Sequence, residues 1–442
     1  MRKGCLIATS VSLGTVVITS FYGIFRVVTL FYDFPTANGD LPAAVAEYQK
    51  NGMPFVTADL FPEKVADTDN AASAIRAAVR VMPPQKVDGE LTQELKKRNY
   101  ASVDSLVAQY DPALKHIQTA IDRPKVDFKR DWDLGPYLLL PEYRPMKTLA
   151  KAAAIRAGRN AAKGNDEAAL ADLTLARQVA VWAGQEPTII SMLVRISSET
   201  IALGGLERCL DAAASDPKRI ARYTDWLAKS PPLPEFGRAL RGEAFTGVVV
   251  TRNLDVFGGV TSLSFSEETT KERKIDLARL HRSGLPEDSK LRGFLARHLQ
   301  IWNEAYRRTD GFKKSPREIG QQMASIDNWL QDKKGLSFVL QRILMPIFSQ
   351  AGDSITQLDA RRAVQAGLAE ALTIHDQTGR WPTKVSPIDP FTGKPLIVKI
   401  KGSEFRVYSI GRDGQDNGGL KRGEKDAIGK IVDEVAVFPP PR

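Results

Sequence analysis

The sequence has few of the residues that form disulfide frameworks and zinc sites. Its 442 residues include only two cysteines, Cys5 and Cys209, and four histidines. Cys5 lies in a long apolar run at the N-terminus, and a protein of this size can form a core without disulfides, so we predict no bond between the two cysteines. No histidine has the partner four residues away that a His-Glu-x-x-His helix requires, which excludes that zinc site.

Motifs of common enzyme classes are also missing. The sequence contains no Gly-x-Ser-x-Gly, no phosphate-binding Gly-rich loop and no dinucleotide fingerprint. Ser215 and Lys218 have the Ser-x-x-Lys spacing of penicillin-interacting enzymes, but Pro217 starts a helix between them and no Lys-Thr-Gly follows. We interpret that spacing as chance. Paired carboxylates for glycoside hydrolysis stay open, because a sequence does not show which acids converge.

Basic residues outnumber acidic ones, which gives a formal net charge of +10. Part of the excess lies between Lys271 and Glu318, where 13 basic residues accompany 7 acidic ones. The segment predicts either contact with an anionic surface, such as lipid headgroups or an envelope polymer, or solvated helix faces on which opposite charges alternate. We expect no nucleic-acid partner, because no basic module interleaved with aromatics is present.

The N-terminus carries a long apolar run. Gly4 to Phe25 contains no charge and follows two basic residues. The run reaches the roughly 20 residues that a membrane span needs and exceeds the apolar region of a secretory signal. We therefore predict a single-pass anchor in the cytoplasmic membrane over residues 1–33, a linker over 34–42 and an extracytoplasmic, periplasmic body. The alternatives are a signal peptide cleaved near Ala37 and a buried helix of a soluble protein.

The body, residues 43–350, is predicted to be a large helical domain. Its apolar residues recur at the spacing of amphipathic helices. Met146–Lys163 and Asp166–Trp182 indicate a helix hairpin, while Pro112 is expected to kink or divide a helix over Ser102–Ile121. The predicted fold class is mainly α, with a transmembrane helix before this helix-hairpin domain and a small α+β module after it.

An acidic, aromatic segment interrupts the helical pattern. Arg123–Pro145 predicts an irregular surface loop in which Asp127, Asp131 and Asp133 surround Trp132. Three acids beside a tryptophan can form a ligand site or line the cleft of a hydrolase. The alternative is that these acids cap helices and bond to the backbone.

The composition changes at residues 352–442, the predicted C-terminal module. Ile355–His375 predicts a helix. Ile397–Ile400 and Glu404–Ile410 are rich in β-branched and aromatic residues and are joined by a short Gly-containing turn. Two such runs predict a β-hairpin.

Three segments of the body carry a resemblance. They are Pro54 to Thr57 (PFVT), Asp69 to Ala72 (DNAA) and Ile190 to Ile196 (ISMLVRI). These segments are similar to parts of large, uncharacterised helical envelope proteins of planctomycete-like bacteria. The resemblance implies a helical envelope architecture and carries no catalytic residue.

The C-terminal module resembles the soluble part of the major pseudopilin of type II secretion systems. The matching pieces are its helix, Gly379-Arg380-Trp381-Pro382, Asp389-Pro390 before Gly393, and Phe405 to Gly411 followed by Asp413-Gly414. The resemblance implies that the loop after the second strand binds calcium, with Ser409 contributing its backbone and Asp413, Asp416 and Asp426 as further ligands. Residues 1–25 lack the Gly-Phe-Thr-Leu-x-Glu segment of pseudopilins, so assembly into a fibre is not expected.

The same loop has ligand chemistry of its own. Asp413 to Glu424 offers the hard oxygens that calcium prefers, but Gln415 replaces an acid of the helix-loop-helix calcium pattern. A polar turn whose Asp and Asn bond their own backbone is the alternative.

The sequence thus predicts a membrane-anchored scaffold or binding protein of the cell envelope, with a protein or an anionic envelope polymer as partner and no evident catalytic activity. A hydrolase acting on an envelope polymer and a secretion- or pilus-associated factor are the alternatives.

Overall fold

A computed structural model describes residues 41–61, 63–97, 100–257, 279–281, 284–333, 338, 341–342, 348–402, 404–420 and 433–438. The predicted anchor over residues 1–33, most of the predicted linker, part of the basic Lys271–Glu318 segment and Asp426 lie outside these residues. The described chain is mainly helical and ends in a small antiparallel sheet, which confirms the coarse fold class.

Helices of very different length make up the described chain. The first six are α1 (Leu41–Lys50), α2 (Thr57–Leu60), α3 (Ala72–Arg80), α4 (Gln85–Lys97), α5 (Tyr100–Ala108) and α6 (Asp111–Gln118). After a 3-10 helix (Trp132–Tyr137) come α7 (Tyr143–Ala162), α8 (Asp166–Ala183), α9 (Ile189–Ala212), α10 (Pro217–Ala228) and α11 (Phe236–Arg252). The last are α12 (Ser289–Arg308), α13 (Pro316–Gln331) and α14 (Phe348–Thr378), before β1 (Ile397–Lys401), β2 (Glu404–Ser409) and β3 (Glu434–Phe438).

Local sequence signals set several of the helix ends. Pro112 stands in the first turn of α6, so the predicted helix over 102–121 is two helices, because proline is tolerated only in a first turn. Gly164, with φ +78°, makes the turn of the α7–α8 hairpin. Asp216 accepts hydrogen bonds from the backbone N–H groups of Lys218 and Arg219 and caps α10.

Helix α9 packs on the α7–α8 hairpin and is the central element of the body. It also packs on α10, α11 and α14. Among the described residues it is the one helix long and apolar enough to cross a membrane, and 56% of its most apolar stretch is buried. Burial against five neighbouring helices accounts for its apolar composition without a bilayer.

Helix α14 connects the body to the C-terminal sheet. It begins at Phe348, so it runs without a break through the predicted boundary at residues 350–352. It packs on α9, α10 and α13 and also on β2 and β3. Gly367 allows close contact, since a Cβ there would lie 3.0 Å from Val407 Cγ2.

The sheet has the order β1-β2-β3, with both pairs antiparallel. The predicted β-hairpin is confirmed, with Ile397 opposite Tyr408. The third strand was not predicted; it pairs Phe438 with Phe405. Phe405 and Val407 are fully buried and share one core with the helices of the body.

Candidate functional site

The residues predicted to bind calcium lie around the end of β2. The Ser409 hydroxyl donates to Asp389 Oδ1 at 2.8 Å and is fully buried. Asp389 also accepts from the backbone N–H groups of Phe391 and Ile410, so it ties the turn before β1 to the end of β2. Ser409 also pairs with Glu434 of β3, and its backbone carbonyl is the group that the resemblance implies for calcium.

The loop carboxylates are hydrogen-bonded to the loop itself. Asp413 accepts from the Gln415 N–H and from the side-chain amide of Asn417. Asp416 accepts from the Tyr408 hydroxyl at 3.0 Å and from the Gly418 N–H at 2.8 Å. These contacts correspond to the polar-turn alternative.

A further acid, Asp433, faces the same loop and was not predicted. It is 3% exposed and accepts from the N–H groups of Asn417 and Gly419. Burial raises its pKa, and the negative charge of Asp416 raises it further. All these donors are hard oxygens of the kind that calcium takes. Within the described residues, however, no group of three potential metal ligands forms, and Asp426 lies outside them. Calcium binding stays a prediction.

The acids of the Arg123–Pro145 segment do not converge. Asp127 accepts from the Lys129 backbone N–H at 2.8 Å, and Asp131 accepts from the Asp133 N–H and caps the 3-10 helix. Burial lowers the pKa of Arg252, and the nearby charge of Asp133 opposes that effect. Asp127 and Asp131 therefore accept hydrogen bonds from the backbone, as the capping alternative predicts, and the charge of Asp133 acts on the buried Arg252.

A recessed cavity of about 240 Å³ lies where the C-terminal end of α8, the start of α9 and the start of α11 meet. Much of its wall is apolar and includes Val181, Met192, Leu233 and Ala239, together with prolines 231, 232 and 234. Its polar wall includes the arginines Arg195 and Arg238. The cavity is therefore amphipathic, with positive charge on part of its wall.

Arg195 is held in place by three features of the fold. Its side chain is only 12% exposed. One terminal nitrogen donates to the Pro232 carbonyl, while Nε is buried, makes no hydrogen bond and lies 3.9 Å from Glu199 Oε2. Its stem crosses Gly184, where a Cβ would lie 2.4 Å from Arg195 Cδ. The absence of a side chain at Gly184 therefore leaves the space that the Arg195 side chain occupies.

Arg238 stands in the first turn of α11 and is exposed along the cavity. It makes no hydrogen bond or ion pair with any described residue. Although the side chain is exposed, partial desolvation by neighbouring residues lowers its pKa, and the negative charge of Glu235, three residues earlier, opposes that effect. An exposed guanidinium with free donors can bind a carboxylate or a phosphate through two parallel hydrogen bonds.

The cavity wall contains as many acidic as basic side chains, Glu186 and Glu235 against Arg195 and Arg238. Behind the wall, Glu199 on α9 lies close to three guanidinium groups: Arg362 donates to it, Arg195 is 3.9 Å away, and its charge also acts on Arg177. Burial lowers the pKa of Arg177 and Arg195, and the like charge of Arg362 lowers both further. Glu235 acts on both Arg195 and Arg238, so an incoming anion competes with this carboxylate for the two arginines.

The other buried carboxylate at the cavity is already neutralised. Glu186 accepts from Arg130 Nε at 2.6 Å and from the Tyr143 hydroxyl at 2.5 Å. Burial raises its pKa, and the hydrogen bond from Arg130 opposes that rise. Its charge therefore pairs with Arg130 and leaves Arg195 and Arg238 available.

The sequence analysis did not single out this cavity. Two signals were present: Arg195 is the one charge within the apolar run Ile190–Ile196, and Pro231-Pro232-Leu233-Pro234 ends a helix abruptly. An arginine at the centre of an apolar helix needs a buried partner or a ligand. Neither signal says which helices meet there.

No known family model, curated protein or solved structure matches this chain. The resemblances to envelope proteins and to the pseudopilin therefore stay predictions.

Proposed function

We propose that this chain is a binding protein of the cell envelope that takes an anionic group into the cavity between α8, α9 and α11. Residues 1–33 anchor it in the cytoplasmic membrane, and the body faces the periplasm. The partner is an anionic envelope polymer or a protein that presents a negatively charged group. The C-terminal loop binds calcium, which stabilises the module.

One observation carries the proposal. Arg238 is exposed along the cavity, makes no hydrogen bond with any described residue, and shares the cavity wall with Arg195. Water solvates an exposed guanidinium group, and an anion that replaces this water forms stronger, charge-assisted hydrogen bonds. A ligand carboxylate or phosphate would supply such an acceptor.

Binding is favoured over hydrolysis by the same contacts. Acid-base chemistry needs a titratable group within reach of a bound substrate. At this cavity Glu186 is engaged by Arg130 and Tyr143, so Glu235 is the single carboxylate of the described wall without such partners, whereas glycoside hydrolysis uses a pair of carboxyl groups. The arginines can hold and orient an anion, and neither can accept a proton from it.

A thermal-shift titration tests the proposal. The full-length chain in detergent is titrated with acetate and with inorganic phosphate at constant ionic strength held by chloride. We expect the melting temperature to rise with at least one of these anions, because a ligand that binds only the native state stabilises it.

Arg238→Gln should remove this rise in melting temperature. Arg222→Gln is the matched control, since Arg222 pairs with Glu167 outside the cavity. Equal shifts in all three proteins would contradict the proposal.

A further inference from the structure

The composition of the cavity wall restricts the ligand further. About half of the wall is polar and includes Glu186 and Glu235 besides the two arginines. The other half is apolar, with Val181, Met192 and Leu233 among the lining residues. An inorganic phosphate would satisfy the arginines and leave this apolar surface against water. A ligand that joins an anionic head to an apolar group would satisfy both parts of the wall.

The size of the cavity sets the size of that apolar group. The cavity has a volume of about 240 Å³ and is only half enclosed. It can enclose a carboxylate with a short alkyl group, whereas a long acyl chain would extend through the open side into water. The prolines at 231, 232 and 234 make this part of the wall stiff, because each fixes its own φ.

The charge of the site favours a single carboxylate. Arg195 already lies 3.9 Å from Glu199, so part of its charge is compensated. Arg238 makes no hydrogen bond with any described residue, and its planar fork matches the two oxygens of one carboxylate. Burying a second negative charge in the half-enclosed cavity would cost desolvation energy without a second free arginine.

We infer that the cavity binds a carboxylate carried on a short apolar group, such as a small aliphatic acid or the C-terminal residue of a peptide that ends in an apolar side chain. This inference rests on the proposed anion-binding function. It assigns Arg238 as the principal contact of the carboxylate and Arg195 as the second contact.

A homologous series of ligands tests the inference by calorimetry on the full-length chain in detergent. The probes are acetate, propionate, butyrate and pentanoate, with pentanamide as the uncharged isostere and inorganic phosphate as the compact anion. We expect the affinity to rise roughly fourfold with each buried methylene, which is the ratio that apolar transfer predicts. Pentanamide should bind at least tenfold more weakly than pentanoate, because it lacks the charge.

The possible results distinguish a failure of the inference from a failure of the proposed function. A rise along the series with weak binding of pentanamide supports both. Binding of phosphate with equal affinity for all four acids overturns the inference and leaves anion binding intact. Binding of none of the anions overturns both. Adding acetyl-glycyl-leucine distinguishes the sources: binding tighter than that of pentanoate supports a peptide C-terminus, and weaker binding supports a free acid.

Discussion

Arg362 on α14 donates hydrogen bonds to Glu199 on α9, from Nε at 2.8 Å and from a terminal nitrogen, and both bonds end on Oε1 of the carboxylate. The pair is almost entirely buried, with side-chain exposures of 13% and 3%. Arg362 also donates to the Pro231 carbonyl at 2.8 Å. Helix α14, on which the C-terminal sheet packs, is therefore hydrogen-bonded to Pro231 in the wall of the cavity.

Removing the charge of Glu199 should strongly destabilise the protein. Glu199→Gln would leave the buried guanidinium groups of Arg195 and Arg362 without a carboxylate. Breaking a buried ion pair on one side costs about 3–5 kcal/mol. Urea unfolding should show a loss of free energy of unfolding in that range.

The matched control for this variant is Glu304→Gln. Glu304 pairs with Arg308 on α12, where both side chains are about one third exposed. An exposed pair contributes about 0–1 kcal/mol. If the two variants lost equal stability, Glu199 would not have the role described.

Gly184 should be required for anion binding through its effect on Arg195. In Gly184→Ala the new Cβ would lie 2.4 Å from Arg195 Cδ and 2.8 Å from its Cβ, so the arginine must move. We expect pentanoate to bind at least tenfold more weakly.

Gly204→Ala is the control, because nothing lies within 4 Å of a Cβ at that position. Alanine is also a better helix former than glycine. That variant should bind normally and melt slightly higher. Normal binding by Gly184→Ala would show that Arg195 does not contact the ligand.

Glu243 should make stability depend on pH. Burial raises its pKa to about 6, while the N–H of Ile189, which donates to Oε1 at 2.8 Å, opposes the rise. The unfolded carboxyl titrates near about 4.3. Between these two pKa values the Glu243 carboxyl is ionised in the unfolded state and protonated in the folded state. The free energy of unfolding therefore falls as the pH rises from about 4 to 6, and it stays low above pH 6.

Glu243→Gln should remove this loss. Relative to the native protein, the variant should gain about 1–2 kcal/mol between pH 4 and pH 7, since one pKa unit corresponds to about 1.4 kcal/mol and the side chain keeps partial exposure. Urea unfolding at several pH values measures the difference. A difference between the two proteins that did not change with pH would contradict the raised pKa.

Calcium should stabilise the protein through the loop after β2. We expect 1 mM calcium chloride to raise the melting temperature of the full-length chain, because the ion binds the folded loop only. Magnesium at the same concentration should have a smaller effect, since it demands stricter geometry. Asp416→Asn should abolish the shift, and Asp127→Asn, in the acidic segment far along the chain, should keep it. No shift with the native chain would remove calcium from the account.

The sequence predicted the elements that depend on neighbouring residues. Pro112 divided a helix, Gly164 turned a hairpin, and the alternating run around Tyr408 formed a strand. Strand β3 was missed because its pairing with β2 joins segments that are distant in the chain, and a run of five residues carries little pattern.

The candidate site depends even more on distant contacts. Arg195 and Arg238 come from different helices, and their distance from Glu186 and Arg362 is set by how α8, α9, α11 and α14 pack. Apolar periodicity predicts that a helix has a buried face, and it does not specify which helix covers that face. The unusual arginine within Ile190–Ile196 was visible in the sequence, but its ligand chemistry became clear only from its surroundings.

A crystal structure of the full-length chain grown with pentanoate tests the anion-binding cavity most directly. We predict that the carboxylate lies between Arg195 and Arg238, within about 2.7–2.9 Å of guanidinium nitrogens, with the alkyl group against Met192 and Leu233. A carboxylate bound elsewhere, while both arginines keep the arrangement described, would contradict the account.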